Sequence, residues 1–265
     1  MFKTNPDSMR MEPTPERVYA LCRMAAYQRM TREELKNALT LGSSNEKANT
    51  QINHTLSVAI DELHILRTKD GYLELAADKE ILSNPTQFRR FVAHEAFQKS
   101  DSTFFLFSKW IIGKNDEIFK MTNWEVMGAT CASEVTELSK VNENAVLGWR
   151  FWAAYLGLGY LNGTMFLPNM KLRLQDILAM EFASAFQYDE TIRATDFIIW
   201  LSSRMPEVDC SGKLPLALSA ALRTLDELDL IHLETWRDSN RVMLFYVDGD
   251  RNDFSHITVR KGVAL

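Results

Sequence analysis

The strongest constraint on this chain is a pattern that occurs twice. Ile60-Asp-Glu-Leu-His-Ile-Leu66 is echoed by Leu225-Asp-Glu-Leu-Asp-Leu-Ile231. Each heptapeptide closes a helical stretch and opens a β-rich segment that contains a polar turn. Recurrence at the corresponding place limits the chain to folds built from repeated supersecondary units. Upstream of the first copy, Thr14-Pro15-Glu16 supplies a cap, a proline at the first helical position and an early acid, followed by Val18, Leu21, Cys22, Ala25 and Ala26 at helical spacing. Thr31-Arg-Glu-Glu34 is a capping box that opens a second helix through Leu35, Ala38 and Leu39, stopping at Gly42. From Asn45 a third helix carries Ile52, Leu56, Ile60 and Leu63 on one stripe. Ile65 to Thr68 and Tyr72 to Leu75 then alternate around Lys69-Asp70-Gly71, where a glycine lets two strands reverse.

The second copy has the same surroundings. Helices near Lys171 to Phe186 and Thr191 to Ser203 precede it, and Asp238-Ser-Asn240 forms the later turn. Between the copies, helices near Gln87 to Phe97, Ser102 to Ile112 and Asn123 to Leu138 lead to a helical stretch from Ala145 to Leu156. Asn162-Gly163 then signals a hairpin between apolar runs. Ser83-Asn84-Pro85 and Pro168-Asn169 mark boundaries. The expected organisation is a flexible lead-in at 1–13 and three modules at 14–82, 83–169 and 170–265. The expected fold class is mainly α with short β-hairpin wings.

These patterns, clearest over Thr31 to Leu75 and Leu214 to Val247, resemble the winged-helix superfamily in tandem. That resemblance implies winged helix-turn-helix modules, in which the third helix enters a DNA groove and the hairpin contacts the backbone. It equally implies protein assembly, because many members use the same surfaces for that purpose. The tandem array in an acidic chain is also similar to accessory proteins of prokaryotic DNA-defence and DNA-modification islands, DpdG-like proteins among them, which implies a role in antiviral defence.

Composition narrows the partners. At 265 residues, 46% hydrophobic and 25% charged, with 11 Gly and 7 Pro, the chain is globular rather than disordered. Thirty basic and 35 acidic side chains leave a net charge of -5, so any nucleic-acid contact is local. The acidic surplus sits in Lys171 to Trp236, a stretch suited to a protein partner. Three widely spaced cysteines, no long apolar run and a polar start predict a cytoplasmic protein with reduced thiols and no membrane partner.

Signatures of catalysis are missing. There is no Walker-type phosphate loop, no His-Glu-x-x-His or Cys-x-x-Cys pair, and no Gly-x-Ser-x-Gly elbow. Asp248, Asp250 and Asn252 imitate a calcium loop, but Asp253 replaces its turn glycine and Val259 its closing glutamate. His94-Glu95 lies at neighbouring helical positions that point apart, and Cys131 has no evident histidine partner. No catalytic residue, metal or cofactor is expected, and a dispersed active site is the reading left open.

The best binding surface is the polar side of Asn45 to Thr55. Asn49, Gln51, Asn53 and His54 offer donor and acceptor groups to base edges there, and Lys47 approaches phosphate. Arg67 and Lys69 lie on the adjacent hairpin. Lys140, Asn144 and Arg150 form a second candidate set in the middle of the chain. The expected partners are double-stranded DNA and other protein subunits, a second copy of this chain included. The alternative is an assembly subunit that never touches DNA.

Overall fold

The computed structural model of the chain describes residues 1–4, 9–42, 46–121 and 123–264. It is mainly helical with small antiparallel sheets, and it divides into two compact units. Unit 1 comprises Met1–Leu106 and Trp124–Tyr155, and unit 2 comprises Phe107–Asn123 and Leu156–Leu265. The chain passes between the units within one helix, just ahead of a second and at the end of a third, and both expected boundary segments, 83–85 and 168–169, lie inside units.

Unit 1 begins with α1 (Pro15–Tyr27), β1 (Met30–Thr31), α2 (Arg32–Thr40), α3 (Glu46–Ser57), β2 (Leu66–Lys69) and β3 (Tyr72–Leu75). Thr14 caps α1 with proline at the first position. Thr31 and Glu34 close the capping box of α2, whose hydrogen bonds from Thr31 hold the Glu34 carboxyl below its ordinary range. Asn45, where the third helix was expected to begin, lies outside the described residues. The three strands pair in the order β1-β3-β2, and β2 and β3 join through Asp70 and Gly71, both at positive φ (51° and 83°). Two left-handed residues make the turn whose twist matches the hairpin's strands. The short strand β1 was not expected, because two residues carry no readable alternation.

Past Ser57 the third helix widens into a π turn, Val58–Glu62. There the Glu62 carboxylate accepts from the amine of Met1 and the amide of Phe2, each at 2.6 Å. The expected flexible lead-in is therefore corrected at its described residues. Met1, Phe2, Met9 and Pro13 are buried, Phe2 packs edge-on against Phe104 and Trp152, and Trp152 Nε1 donates to the Pro13 carbonyl at 2.6 Å. Apolar anchors spaced among polar residues suffice to dock such a segment. Three further helices, α4 (Pro85–Gln98), the first part of α5 (Thr103–Gly113) and α6 (Trp124–Glu134), join α7 (Glu143–Tyr155) in this unit. Gly148 of α7 lies so close to the Met9 and Arg10 carbonyls that a Cβ there would meet them at 2.4 and 2.6 Å.

Unit 2 holds the hairpin β4 (Gly159–Asn162) and β5 (Met165–Pro168), which turns through Gly163 and Thr164. It continues with α8 (Lys171–Glu181), β6 (Thr191–Arg193), α9 (Ala194–Ser202), α10 (Leu216–Glu227), β7 (Ile231–Glu234), β8 (Val242–Met243), β9 (Asp253–Phe254) and β10 (His256–Val259). Its three-stranded sheet runs β6-β10-β7. Thr191 to Arg193, expected as the start of a helix, is thus a strand, held by pairing with Thr258, Ile257 and His256. The repeated heptapeptides leave their helices differently, the first through the π turn and the second through the α-helical end of α10, but they share one backbone feature. His64 and Asp229, at the same place in each, have φ of 51° and 54° and carry the chain from a helix end into a strand.

Candidate nucleic-acid interface

The exposed residues of α3 are Glu46, Lys47, Thr50 and Asn53, which share one face at helical spacing. Asn49 and Gln51 are half-buried on its flanks. His54 lies one turn past Thr50 but is half-buried and engaged: its ring meets the Arg10 guanidinium and stands 3.5 Å from the Glu12 carboxylate. Of the five α3 candidates, Lys47 and Asn53 occupy the open face and His54 serves the segment that precedes α1.

Both hairpin candidates are exposed. Arg67 faces Glu74 across the ladder, its Nη2 3.6 Å from the carboxylate, and Lys69 stands opposite Tyr72. Two cations that sequence reasoning missed join them. Arg29 lies over the Tyr72 ring at 4.3 Å, and Arg32 Nη2 donates to Thr68 Oγ1 at 3.4 Å. The signal was present as a basic residue on each side of Met30–Thr31, but it acquires meaning only once those two residues pair with β3. The β1-β3-β2 sheet thereby gathers Arg29, Arg32, Arg67 and Lys69, with Glu33, Asp70 and Glu74 interspersed.

The middle candidates do not form one surface. Lys140 and Asn144 are exposed ahead of and within the first turn of α7. Arg150 follows roughly 240° around the helix. It is half-buried with its guanidinium over the rings of Phe151 and Trp124, at 4.6 and 5.6 Å. Cation–π packing holds it, and its buried Nε has no hydrogen-bond partner among the described residues.

The counterpart of α3 in unit 2 is α10, and its setting is different. Ala217, Leu218, Ser219, Ala221, Leu222 and Leu225 are all buried. The strand returning to β7 is β10, so residues 235–255 form an insert that contains the β8-β9 ladder. That long return differs from the short wing expected around Asp238-Ser-Asn240. The insert bonds directly to α10 and its approach: Phe245 N donates to Ser219 Oγ and Leu214 N to the Met243 carbonyl, both at 2.8 Å. Arg223 Nη2 donates to the carbonyls of Phe245 and Arg251 at 2.7 Å. Burial pulls this arginine below its ordinary pKa.

The residues that imitate a calcium loop build a turn within this insert. Asn252 Oδ1 accepts from Val247 N at 2.9 Å, and its amide donates to the Val247 and Asp250 carbonyls. Among the described residues no cluster of three or more His, Cys, Asp or Glu side chains could hold a metal. Cys131 is buried, and burial pushes the Cys22 thiol up to about 12, which leaves it almost no thiolate at neutral pH. No described helix is long and apolar enough to cross a membrane. No family model, curated protein or solved structure matches the chain.

Proposed function

We propose that the chain is a non-enzymatic DNA-binding and assembly subunit built on two winged-helix arrangements. Unit 1 rests on duplex DNA, and unit 2 holds a protein partner. The observation that carries this reading is the shared order of elements. Helix, strand, helix, helix, strand, strand, with the first strand pairing to the last, occurs as α1-β1-α2-α3-β2-β3 and again as α8-β6-α9-α10-β7-β10. Only the first copy leaves its third helix open beside cationic side chains. Lys47 and Asn53 would approach the groove while Arg29, Arg32, Arg67 and Lys69 neutralise phosphates. Among the described residues the middle hairpin, β4-β5, pairs with no third strand.

The test is fluorescence anisotropy of the full chain with random duplex and single-stranded DNA at low and near-physiological salt. Duplex binding that falls steeply with salt is the expected result. Its loss in a folded Lys47→Ala, Arg67→Ala, Lys69→Ala variant would assign it to this surface. Absence of binding at low salt would leave the assembly role alone, which the acidic stretch of unit 2 and the half-exposed Trp236 and Tyr246 favour.

A further inference from the structure

Behind the open face of α3, unit 1 contains a cavity of about 450 Å³ between its first three helices. Arg17 and Leu21 of α1, Leu39 of α2, and Gln51, Ile52 and Thr55 of α3 line it. The volume lies within the range of small-molecule pockets, which combine an apolar wall with a few polar groups that fix orientation. Leu21, Leu39 and Ile52 supply the wall. The polar groups are unequal in charge, since Arg17 is the one ionised side chain among the described lining residues and no acid stands with it. Arg17 is exposed and spends Nη1 on the Glu12 carbonyl at 2.9 Å, which leaves its remaining guanidinium donors for an anion.

We infer that this cavity binds a small amphipathic anion, a carboxylate with a compact hydrocarbon body. The carboxylate meets Arg17, and the hydrocarbon covers Leu21, Leu39 and Ile52. Part of the cavity wall is the inner side of α3, so occupancy bears on the helix proposed to face DNA. In that respect the inference rests on the functional reading above.

The probes are octanoate and 1-octanol, which share a chain and differ in charge, titrated into the full-length protein by isothermal calorimetry and by methyl NMR of Leu21, Leu39 and Ile52. Octanoate is expected to bind saturably and at least tenfold more tightly than octanol. Arg17→Gln should abolish that preference, and Ala20→Trp, at the rim of the same cavity, should block both probes. Circular dichroism establishes that each variant is folded. If the Trp variant unfolds, shifts of the wild-type methyl resonances still locate the ligand. No saturable octanoate binding, equal affinity for octanol, or octanoate affinity unchanged in Arg17→Gln would each overturn the inference. These measurements contain no DNA, so failure of the cavity and failure of DNA binding are separate results.

Discussion

The third helices of the two units stand at the same place in the same order of strands and helices, yet their polar groups face opposite ways. In α3, Lys47, Thr50 and Asn53 are exposed and the hairpin after it is four residues per strand with a two-residue turn. In α10 the faces are closed by alanine and leucine, and the one arginine, Arg223, binds backbone carbonyls of the insert between β7 and β10. The lesson is that an element order fixes where a helix sits, while the connection after it decides whether the helix is a surface or a core. A short hairpin leaves the helix open. An insert long enough to fold back covers it and requires apolar residues beneath.

The comparison breaks most visibly if cations in the two units contribute equally to stability. In unit 2, Arg173 is buried, with Nε 3.0 Å from Glu207 Oε1 and Nη2 on the Arg204 carbonyl at 3.1 Å. Replacing one member of such a pair strands the other, so Arg173→Met should cost about 3–5 kcal/mol in urea unfolding. The Arg67–Glu74 pair of unit 1 is exposed, and Arg67→Met should change stability by less than about 1 kcal/mol. Comparable losses would mean that the two units do not employ their cations differently. Arg223→Ala comes next, at about 2–3 kcal/mol, because it leaves the Phe245 and Arg251 carbonyls without their donor. Faster amide exchange at Phe245 and Val247, with unchanged DNA affinity, would show that the loss is confined to the cover.

The units should also respond to pH in opposite directions. Burial lowers the Met1 amine from 8.0 to about 6, against the opposing pull of Glu62. The unfolded chain then binds more protons between those values, so this group's contribution rises as pH goes from 6 to 8, by on the order of 2 kcal/mol. Burial raises the Glu207 carboxyl, an effect that Arg173 opposes without cancelling. Its contribution is full below the unfolded value of 4.5 and is lost as pH rises through the folded one. Denaturation midpoints of wild type and Glu207→Gln from pH 4 to 8 should therefore draw apart with the wild type declining relative to the variant. A constant difference would place Glu207 at its ordinary pKa.

Much of this arrangement was readable from sequence because it is local. The capping box at Thr31, the turn at Asp70-Gly71 and the repeated heptapeptides all follow from residues within a few positions of one another. What was not readable depends on distant pairing. Strand β1 is two residues that become a strand only against Leu73 and Tyr72, and β6 only against β10. His54 and Arg150 were chosen for their chemistry, but Arg10 and Glu12, outside α3, hold the first, and Trp124, outside α7, joins the adjacent Phe151 in holding the second. The burial of Met1 and Phe2 depends on Glu62, Phe104 and Trp152, far along the chain.

The smallest effect discriminates most finely between the two faces. Arg29 and Arg32 lie beside the β1-β3-β2 sheet, one over Tyr72 and the other bonded to Thr68, so each is oriented without being buried. A cation held in this way loses little freedom when it meets a phosphate. Arg29→Gln and Arg32→Gln should each leave unfolding within about 0.5 kcal/mol of wild type. Each should lower the slope of log affinity against log salt by about 0.9, the value for one phosphate contact on duplex DNA. Arg237→Gln and Arg241→Gln on the insert of unit 2 provide the internal control, with no change in slope expected. A drop in slope there would move the proposed phosphate-facing surface to the insert of unit 2, and no drop at Arg29 and Arg32 would remove it from the β1-β3-β2 sheet.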